Sequence, residues 1–374
     1  SDAALRDLPG PFKVGFWRNL YDEESEPGND LTVVPARRRV GTRQVRGFRL
    51  MLGGGLGPNP RVEALWKAFV EPELLHAHVR AVALHFKEGC QDSRPGLRLR
   101  DLLLAEGWPA FQEDVAHRVA QEAPDRRALF FHQLPLGQAA AVGATLPSWL
   151  HGFAVPLPRP GLFLVKGQPW GGMVGAGTAE GLANLVERYG QGELRVTARQ
   201  QLWIPGIGEP NLLAAFQELQ RLGLAGSFLG SVCACPGSRL CPRAGLDTVT
   251  LGQKVLDVLK DGLGSELGRA TAGLRLGVSA CANGCGRHRS ADLGLEASVV
   301  ERQGRRETQV QVYARRPSSP SLSEAVGHVP LDRLDRFFSP LLHTYKTSGA
   351  PDLASFLRTP LGFEALQAAI RQTP

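Results

Sequence analysis

Three short blocks near the start of the chain, each with apolar residues in a strand-like pattern, have counterparts 262 residues further on, in the same order and with no gap. The paired blocks are 12–15 with 274–277, 30–31 with 292–293, and 48–52 with 310–314. The common offset predicts that the chain contains two copies of one lobe.

Each copy continues into a helical pattern of apolar positions, at 62–87 in the first copy and at 331–346 in the second. The glycines at 53–55 are expected to form the turn that leads into the first of these helices. Both copies then end on a short amphipathic helix, at 108–119 and at 362–370. Strands followed by helices in each copy predict an α/β lobe.

A different segment precedes the second copy. It contains a strand, a helix, a second strand and a second helix, predicted at 162–165, 179–189, 194–197 and 211–222. Because nothing before residue 1 matches this segment, we expect an N-terminal portion to be missing or supplied by another chain. The Ala-, Gly- and Pro-rich stretch 134–160 is the expected hinge, and 315–321 is expected to be a surface loop.

The composition suits a protein with a sizeable core. The chain has 374 residues, of which 43% are hydrophobic and 21% charged, so more than one domain is expected. No apolar run reaches the roughly 18 to 20 residues that a transmembrane helix needs, and no secretory signal opens the chain. These features predict a soluble, cytoplasmic protein that does not bind a membrane.

The charge balance adds a preference for anionic partners. There are 43 basic and 36 acidic residues, for a net charge of +7. A nucleic acid, an acidic protein or a small oxyanion would each fit this balance. The scattered charge and an aromatic content of 7% argue against nucleic acid.

Five of the six cysteines lie within about fifty residues, and four of them form two pairs. Cys235 and Cys241 are separated by five residues, and Cys281 and Cys285 by three. Two such pairs can bind a tetrahedral metal or an iron–sulfur cluster. The spacing and the small neighbouring residues favour the cluster over zinc, because backbone N–H groups can then approach the sulfides. The remaining two, Cys90 and Cys233, are expected to be buried as small apolar residues.

The cysteine motifs resemble those of the sirohaem-dependent nitrite and sulfite reductases of the ferredoxin-dependent, assimilatory type. The resemblance rests on CPGSRLC at 235–241, SACANGCGRH at 279–288 and ADLGL at 291–295. Further matches are LRVTARQQLWIPGI at 194–207 and the glycine turn GGGLG at 53–57, so the resemblance covers nearly the whole chain.

The resemblance implies an α+β fold with a duplicated architecture, in which each half has a ferredoxin-like lobe followed by a larger α/β lobe. The expected domains are a first reductase lobe at 1–126, N-terminally incomplete, a ferredoxin-like lobe at 127–207 and a second reductase lobe at 208–374. The family's cofactors would be a [4Fe–4S] cluster and sirohaem. Their thiolate ligands would be Cys235, Cys241, Cys281 and Cys285, with Cys285 also bridging to the sirohaem iron.

Three other residues match functional positions of the family. Asn283 and Arg287 would line the macrocycle, where a guanidinium suits its carboxylates. Lys13 would hold the oxyanion and help to deliver protons. The family usually has a second lysine two positions earlier, where this chain has Pro11.

The expected activity is the six-electron reduction of nitrite to ammonium or of sulfite to sulfide. The expected partners are the small oxyanion, an acidic ferredoxin-like electron donor and a chain that supplies the missing lobe. Candidate docking charges for the donor are Arg37, Arg38, Arg39, Arg43 and Arg46. Two alternatives stay open: a cluster enzyme similar to precorrin-3B synthase of cobalamin synthesis, and a non-catalytic cluster-binding subunit.

Overall fold

A computed structural model describes residues 2–17, 27–90, 97–122, 153–157, 159–226, 230–302 and 305–373. The chain divides into two compact units, Ser1–Leu136 and Gly137–Pro374. No helix among the described residues is both long and apolar enough to cross a membrane. Most of the expected hinge at 134–160 lies outside the described residues.

The described residues of the first unit form one four-stranded sheet and three α-helices. Strand β1 pairs in parallel with β2, and the β2–β3 and β3–β4 pairs are antiparallel. Alternate side chains of β2 and β3, among them Leu31, Val33, Leu50 and Leu52, are buried in the core beneath the helices. The elements are β1 Val14–Phe16, β2 Leu31–Val40, β3 Arg43–Leu52, β4 Ala64–Val70, α1 Pro72–Gly89, α2 Leu99–Glu106 and α3 Trp108–Gln121.

The predicted helix at 62–87 is wrong over its first part, because 64–70 form strand β4 and helix α1 begins only at Pro72. Trp66 and Val70 are buried in the core while exposed or half-buried residues lie between them. Pairing with β3, from Phe48 opposite Val70 to Leu52 opposite Ala64, fixes this segment as a strand. The glycine turn at 53–55 therefore leads into a strand and not into a helix.

The second unit begins with a small α+β lobe. Its antiparallel sheet has the strand order β5-β6-β8-β7 and shares one apolar core with two helices. Leu212, Ala215 and Leu219 of the second helix are buried in that core. The predicted boundary after residue 207 thus falls at the end of the sheet, ahead of that helix. The elements are β5 Ala154–Pro156, β6 Leu162–Gly167, α4 Ala176–Tyr189, β7 Arg195–Val196, β8 Leu202–Gly208 and α5 Leu212–Arg221.

The larger lobe of the second unit has a five-stranded sheet in the order β13-β12-β11-β10-β9. Strands β9, β10 and β11 are parallel, and β11, β12 and β13 are antiparallel neighbours. The elements are β9 Ser231–Ala234, α6 Thr248–Leu263, α7 Leu267–Thr271, β10 Arg275–Ser279, β11 Leu293–Arg302, β12 Arg305–Arg316, β13 Ser319–Pro330, α8 Leu334–Thr347, α9 Leu353–Leu357 and α10 Pro360–Arg371.

The strand register confirms the predicted duplication. Val14 pairs with Leu31 in the first unit, and Leu276 pairs with Leu293 in the second, which is the same pairing displaced by 262 residues. Leu31 opposite Leu52 likewise corresponds to Leu293 opposite Ala314. Strand β9 has no counterpart among the described residues of the first unit. The expected α+β class and the duplicated lobes are both observed, whereas the exact domain boundaries stay predictions.

The expected surface loop at 315–321 is shorter than predicted. Strand β12 continues to Arg316 and β13 begins at Ser319, so only residues 317 and 318 form the turn between them. Pairing of Arg316 with Ser319 closes this hairpin. The Pro and Ser residues at 315–321 therefore predict a longer loop than the two-residue turn that the structure contains.

Candidate functional site

The two cysteine pairs lie in the loops that follow adjacent parallel strands. Cys235 comes directly after β9, and Cys281 comes two residues after β10. Ala234 and Val278 are paired at the ends of these strands, and the Cys235 N–H donates to the Val278 carbonyl at 2.9 Å. Because the carboxyl ends of parallel strands meet at one edge of a sheet, both loops emerge on the same side of the lobe.

The first cysteine loop closes on itself at Gly237. This residue has a φ of +57°, and a Cβ there would lie 2.6 Å from the Thr248 backbone nitrogen, so only glycine fits. The Cys241 N–H donates to the Gly237 carbonyl at 2.9 Å. Thr248 at the start of α6 donates through Oγ1 to the Cys235 carbonyl at 2.6 Å. These bonds fix the path of the chain between Cys235 and Cys241.

The second cysteine loop folds back over the sheet. Gly277 of β10 and Gly294 of β11 are directly opposite each other, and a Cβ on either would lie within 2.8 Å of the backbone at 286–288. A Cβ on Gly286 would lie 1.8 Å from the Val278 carbonyl oxygen. Glycine at these positions is what allows the Cys285 loop to lie directly on the strands.

Arginines and a serine hold the far end of this loop. Arg199 of the small lobe and Arg315 of β12 both donate to the Ser290 carbonyl, at 3.4 and 2.9 Å. Ser323 donates through Oγ to the Ala291 carbonyl at 2.6 Å. Burial lowers the pKa of Arg315 to about 10, a value at which the guanidinium still carries its charge at neutral pH. The loop is thus fixed by residues of both lobes.

Two glutamine side chains of the small lobe pair with the backbone of β9. The Gln200 amide donates to the Ala234 carbonyl at 2.8 Å and accepts from the Ala234 N–H at 3.1 Å. Gln168 makes the same pair of bonds with Val232, at 3.1 and 3.3 Å. Val232 and Ala234 are alternate residues of one strand, so the amides take the place of a neighbouring strand just before Cys235.

A buried polar cluster lies beneath the second cysteine loop. The His288 ring is fully buried, lies 4.5 Å from the Tyr313 ring between centroids, and has Nε2 3.4 Å from Oε2 of Glu296. The Tyr313 hydroxyl donates to the same Glu296 oxygen at 2.6 Å. Burial, with the Arg289 charge nearby, lowers the pKa of His288 to about 3, so this ring is neutral at physiological pH. Burial also raises the pKa of Tyr313 to about 12.

A buried aspartate marks the opposite end of β10 and β11 from the cysteines. Asp292 accepts from the Arg275 backbone N–H at 3.0 Å and from the guanidinium groups of Arg275 and Arg358. Burial alone would raise the pKa of this carboxyl, but the bonds to Arg275 and the charge of Arg358 hold it below its usual value. Asp30, which occupies the same position in the first copy, accepts from the Lys13 N–H at 2.8 Å and pairs with Arg98.

The predicted site residues differ in exposure. Cys235 is buried, Cys241 and Cys281 are half-buried, and Cys285 is exposed. No set of three or more Cys, His, Asp or Glu in the described part of the chain is close enough to hold one metal ion. The structure therefore brings the two cysteine loops to one edge without gathering the thiols at a single point. Cys90 and Cys233 are buried in apolar surroundings, as expected.

The other predicted residues lie around these loops or in the first unit. Asn283 is exposed and Arg287 is half-buried, and both belong to the second cysteine loop. Arg287 has a φ of +58°, a left-handed conformation that a non-glycine residue rarely adopts. Lys13 is exposed at the start of β1 in the first unit. Sequence reasoning missed the role of Gln168, whose only signal is a polar residue directly after the apolar strand β6.

Comparison with known proteins identifies two domains of one family. The nitrite/sulfite reductase ferredoxin-like half domain matches residues 157–222, and the nitrite and sulphite reductase 4Fe-4S domain matches residues 2–123. The first match covers the small lobe from β6 to α5 and begins just after β5. The second covers the first copy of the larger lobe, which does not contain the cysteine pairs.

Curated proteins that are similar to this chain are named as nitrite or sulfite reductases. The chain is 26% identical to the assimilatory ferredoxin-dependent nitrite reductase of Haloferax mediterranei, over 81% of this chain and 52% of that protein. It is also 26% identical to the sulfite reductase [NADPH] hemoprotein beta-component of Neisseria meningitidis, over 79% of this chain and 49% of that protein. The chain thus spans about half the length of the curated relatives that it matches.

A solved structure has the same fold. The NirA protein of Mycobacterium tuberculosis aligns with a TM-score of 0.71 and 20% identity, covering 96% of this chain and 64% of that protein. The two family domains, the curated relatives and the shared fold all agree with the duplicated lobes. The chain belongs to the nitrite and sulfite reductase family.

Proposed function

We propose that this chain catalyses the six-electron reduction of a small oxyanion, nitrite or sulfite. Nitrite would consume six electrons and eight protons to give ammonium and two waters. Sulfite would consume six electrons and seven protons to give hydrosulfide and three waters. The observation that supports this proposal most strongly is the placement of both cysteine pairs in neighbouring loops at one sheet edge of a family member.

The family binds a [4Fe–4S] cluster and sirohaem, and the residues present suit both groups. Four thiols on two loops are the donors that such a cluster requires. Cys235, Cys241, Cys281 and Cys285 would hold the cluster, and Cys285 would also help to hold the sirohaem. When bound, the cofactors would supply single electrons for cleavage of the N–O or S–O bonds.

Three further side chains would act on the macrocycle and the anion. Asn283 and Arg287 would line the macrocycle, and the planar, permanently charged guanidinium of Arg287 would bind its carboxylates. Lys13 would hold the oxyanion and donate protons through Nζ. Its location at the start of β1 leaves it exposed, and its backbone N–H is fixed by Asp30.

Other sequence hypotheses have less support. The relatives named above are nitrite or sulfite reductases, which favours reduction of an oxyanion over a precorrin-3B synthase activity. The acidic electron donor is part of this proposal, and ferredoxin is named as the donor of the Haloferax relative. A chain that supplies a further lobe and a cytoplasmic location both stay predictions.

The test uses the full chain, reconstituted anaerobically with iron, sulfide and sirohaem. We expect reduced methyl viologen to drive consumption of nitrite or sulfite, with ammonium or sulfide formed in equal amount. Cys281→Ser should abolish this activity, and Cys90→Ser is the matched control because Cys90 lies in the first unit, outside the cysteine loops. Absence of turnover in the loaded wild type, or full turnover in Cys281→Ser, would contradict the proposal.

A further inference from the structure

The end of the β2–β3 hairpin is strongly basic. Residues 37–46, here called the arginine hairpin, contain five arginines and no acidic residue. All five arginines are exposed, and Val40 at the tip is 52% exposed. The five are Arg37, Arg38, Arg39, Arg43 and Arg46.

The strand register places like charges together on one face of this hairpin. Arg37 is directly opposite Arg46, and Arg39 is opposite Gln44 and on the same face as Arg37. Like charges directly opposite each other destabilise an antiparallel pair. Repulsion between these arginines therefore destabilises the hairpin, and the segment has no acidic residue to compensate for it.

The contacts of these side chains are mostly with neutral groups. Arg37 donates to the Gln44 side-chain oxygen at 3.4 Å, and Arg39 donates to the Gly41 carbonyl at 3.1 Å. Arg38 pairs with Glu71 at 2.9 Å and lies over the Phe69 ring on the other face. Among the described residues this is the one ion pair recorded for the hairpin. Its guanidinium groups thus point their charge at solvent.

The second copy of the lobe shows that the fold does not require this charge. At the offset of 262 residues, Val299 and Thr308 occupy the positions of Arg37 and Arg46 and form the same cross-strand pair. The corresponding segment 299–308 has the sequence VVERQGRRET, which contains three arginines and two glutamates. The same hairpin is built without a one-sided charge, so the arginines of the first copy need another explanation.

We propose that the arginine hairpin is the docking surface for an acidic protein that donates electrons to the site. Guanidinium groups bind carboxylates in bidentate pairs, and a one-signed patch speeds the encounter with an oppositely charged partner. The exposed Val40 provides an apolar contact among the charges. This inference rests on the proposed function, because a six-electron reduction needs a donor that delivers electrons repeatedly.

The test compares two triple charge reversals in the reconstituted full chain. Arg37→Glu, Arg39→Glu and Arg46→Glu alter the hairpin, and Arg188→Glu, Arg336→Glu and Arg371→Glu make the same charge change on exposed helix positions of the second unit. Turnover is measured with reduced methyl viologen and with a reduced, acidic [2Fe–2S] ferredoxin. We expect the hairpin variant to raise the KM for ferredoxin by about tenfold or more, to flatten its salt dependence and to leave viologen turnover unchanged.

Several outcomes would overturn the docking proposal. The first is an unchanged KM for ferredoxin in the hairpin variant, or an equal rise in the control. Another is a large drop in melting temperature with no change in KM, which would point to the chain's own acidic run at 22–26 as the partner of the hairpin. Wild-type binding of duplex DNA as tightly as ferredoxin, lost in the hairpin variant, would point to nucleic acid.

Failure of the proposed function gives a different result. If viologen turnover is absent from the loaded wild type, the reductase proposal fails, whatever the hairpin does. Direct binding of oxidised ferredoxin, measured by calorimetry at low and at moderate salt, then still tests the hairpin. Equal affinity of the wild type and the hairpin variant in that measurement would overturn the docking surface by itself.

Discussion

At the scale of single residues, the second unit depends on side chains that complete the hydrogen bonding of the backbone. Asp292 accepts from the start of β10 and is neutralised by two arginines, while Gln168 and Gln200 satisfy alternate residues of β9. Asp292, Arg275 and both glutamines are buried or half-buried, whereas Arg358 is exposed, so loss of Asp292 or of a glutamine leaves a backbone partner without its bond. The backbone of this unit therefore depends on side-chain partners as well as on strand pairing.

Replacement of Asp292 by Asn should destabilise the second unit. We expect a loss of about 2–3 kcal/mol in the free energy of unfolding at neutral pH, because two guanidinium groups lose their buried counter-charge. The measurement is urea unfolding followed by circular dichroism. Asp332→Asn, at an exposed position of the same lobe, is the control and should change the free energy of unfolding by less than about 0.5 kcal/mol.

The same substitution tests a pH effect with a definite sign. The pKa of Asp292 is lower in the folded protein than the value of about 3.9 in an unfolded chain. Its stabilising contribution is therefore complete above about pH 4 to 5 and is lost as the pH falls towards the folded pKa. The wild type should lose more stability than Asp292→Asn over this acid range, and parallel profiles would refute the assignment.

Gln200→Leu should weaken the connection between the small lobe and β9. The variant leaves the Ala234 N–H and carbonyl without their partners, which costs about 2–3 kcal/mol. We also expect faster alkylation of Cys235 in the metal-free protein, because the loop that begins there loses its support. Gln253→Ala, at an exposed position of α6, should alter neither quantity. An alkylation rate equal to that of the wild type would show that Gln200 does not position the loop.

At the scale of elements, glycines decide whether the second cysteine loop can lie on the sheet. We expect Gly286→Ala to cost about 3 kcal/mol, because the new Cβ would meet the Val278 carbonyl oxygen at 1.8 Å. Gly177→Ala in α4 is the matched control, since its Cβ would meet nothing within 4 Å. Thermal unfolding and iron uptake should both fall for Gly286→Ala alone. Equal values for the two variants would refute the close approach.

Local patterns predicted most elements but not those that depend on distant pairing. The offset of 262 residues is visible because the strand-like blocks at 30–31 and 48–52 recur in the second copy with identical spacing. Strand β4 was mistaken for the start of a helix, because its apolar residues also fit a helical period and only pairing with β3 decides the matter. The cysteine loops could be placed at strand ends, but the bonds of Gln168 and Arg199 to the other lobe could not, since no local signal encodes them.

At the scale of the whole molecule, the two copies have kept one strand register and diverged in chemistry. The second copy has β9, the cysteine pairs and a hairpin of mixed charge, and the first has the exposed Lys13 and the arginine hairpin. In our proposals the second copy holds the cluster that transfers electrons, and the first copy provides the surface on which the electron donor docks. Membership of the family predicts a [4Fe–4S] cluster and sirohaem. The four cysteines add a specific prediction, namely which thiols would hold the cluster.

Iron and acid-labile sulfide counts on the anaerobically reconstituted full chain test the central claim most directly. We predict about four iron atoms and four sulfides per chain in the cluster, with further iron only in proportion to bound sirohaem. Replacement of any one of Cys235, Cys241, Cys281 or Cys285 by Ser should lower the cluster content sharply, and Cys90→Ser should not. Stoichiometric zinc in place of iron, or an unchanged sulfide count in all four variants, would contradict the account.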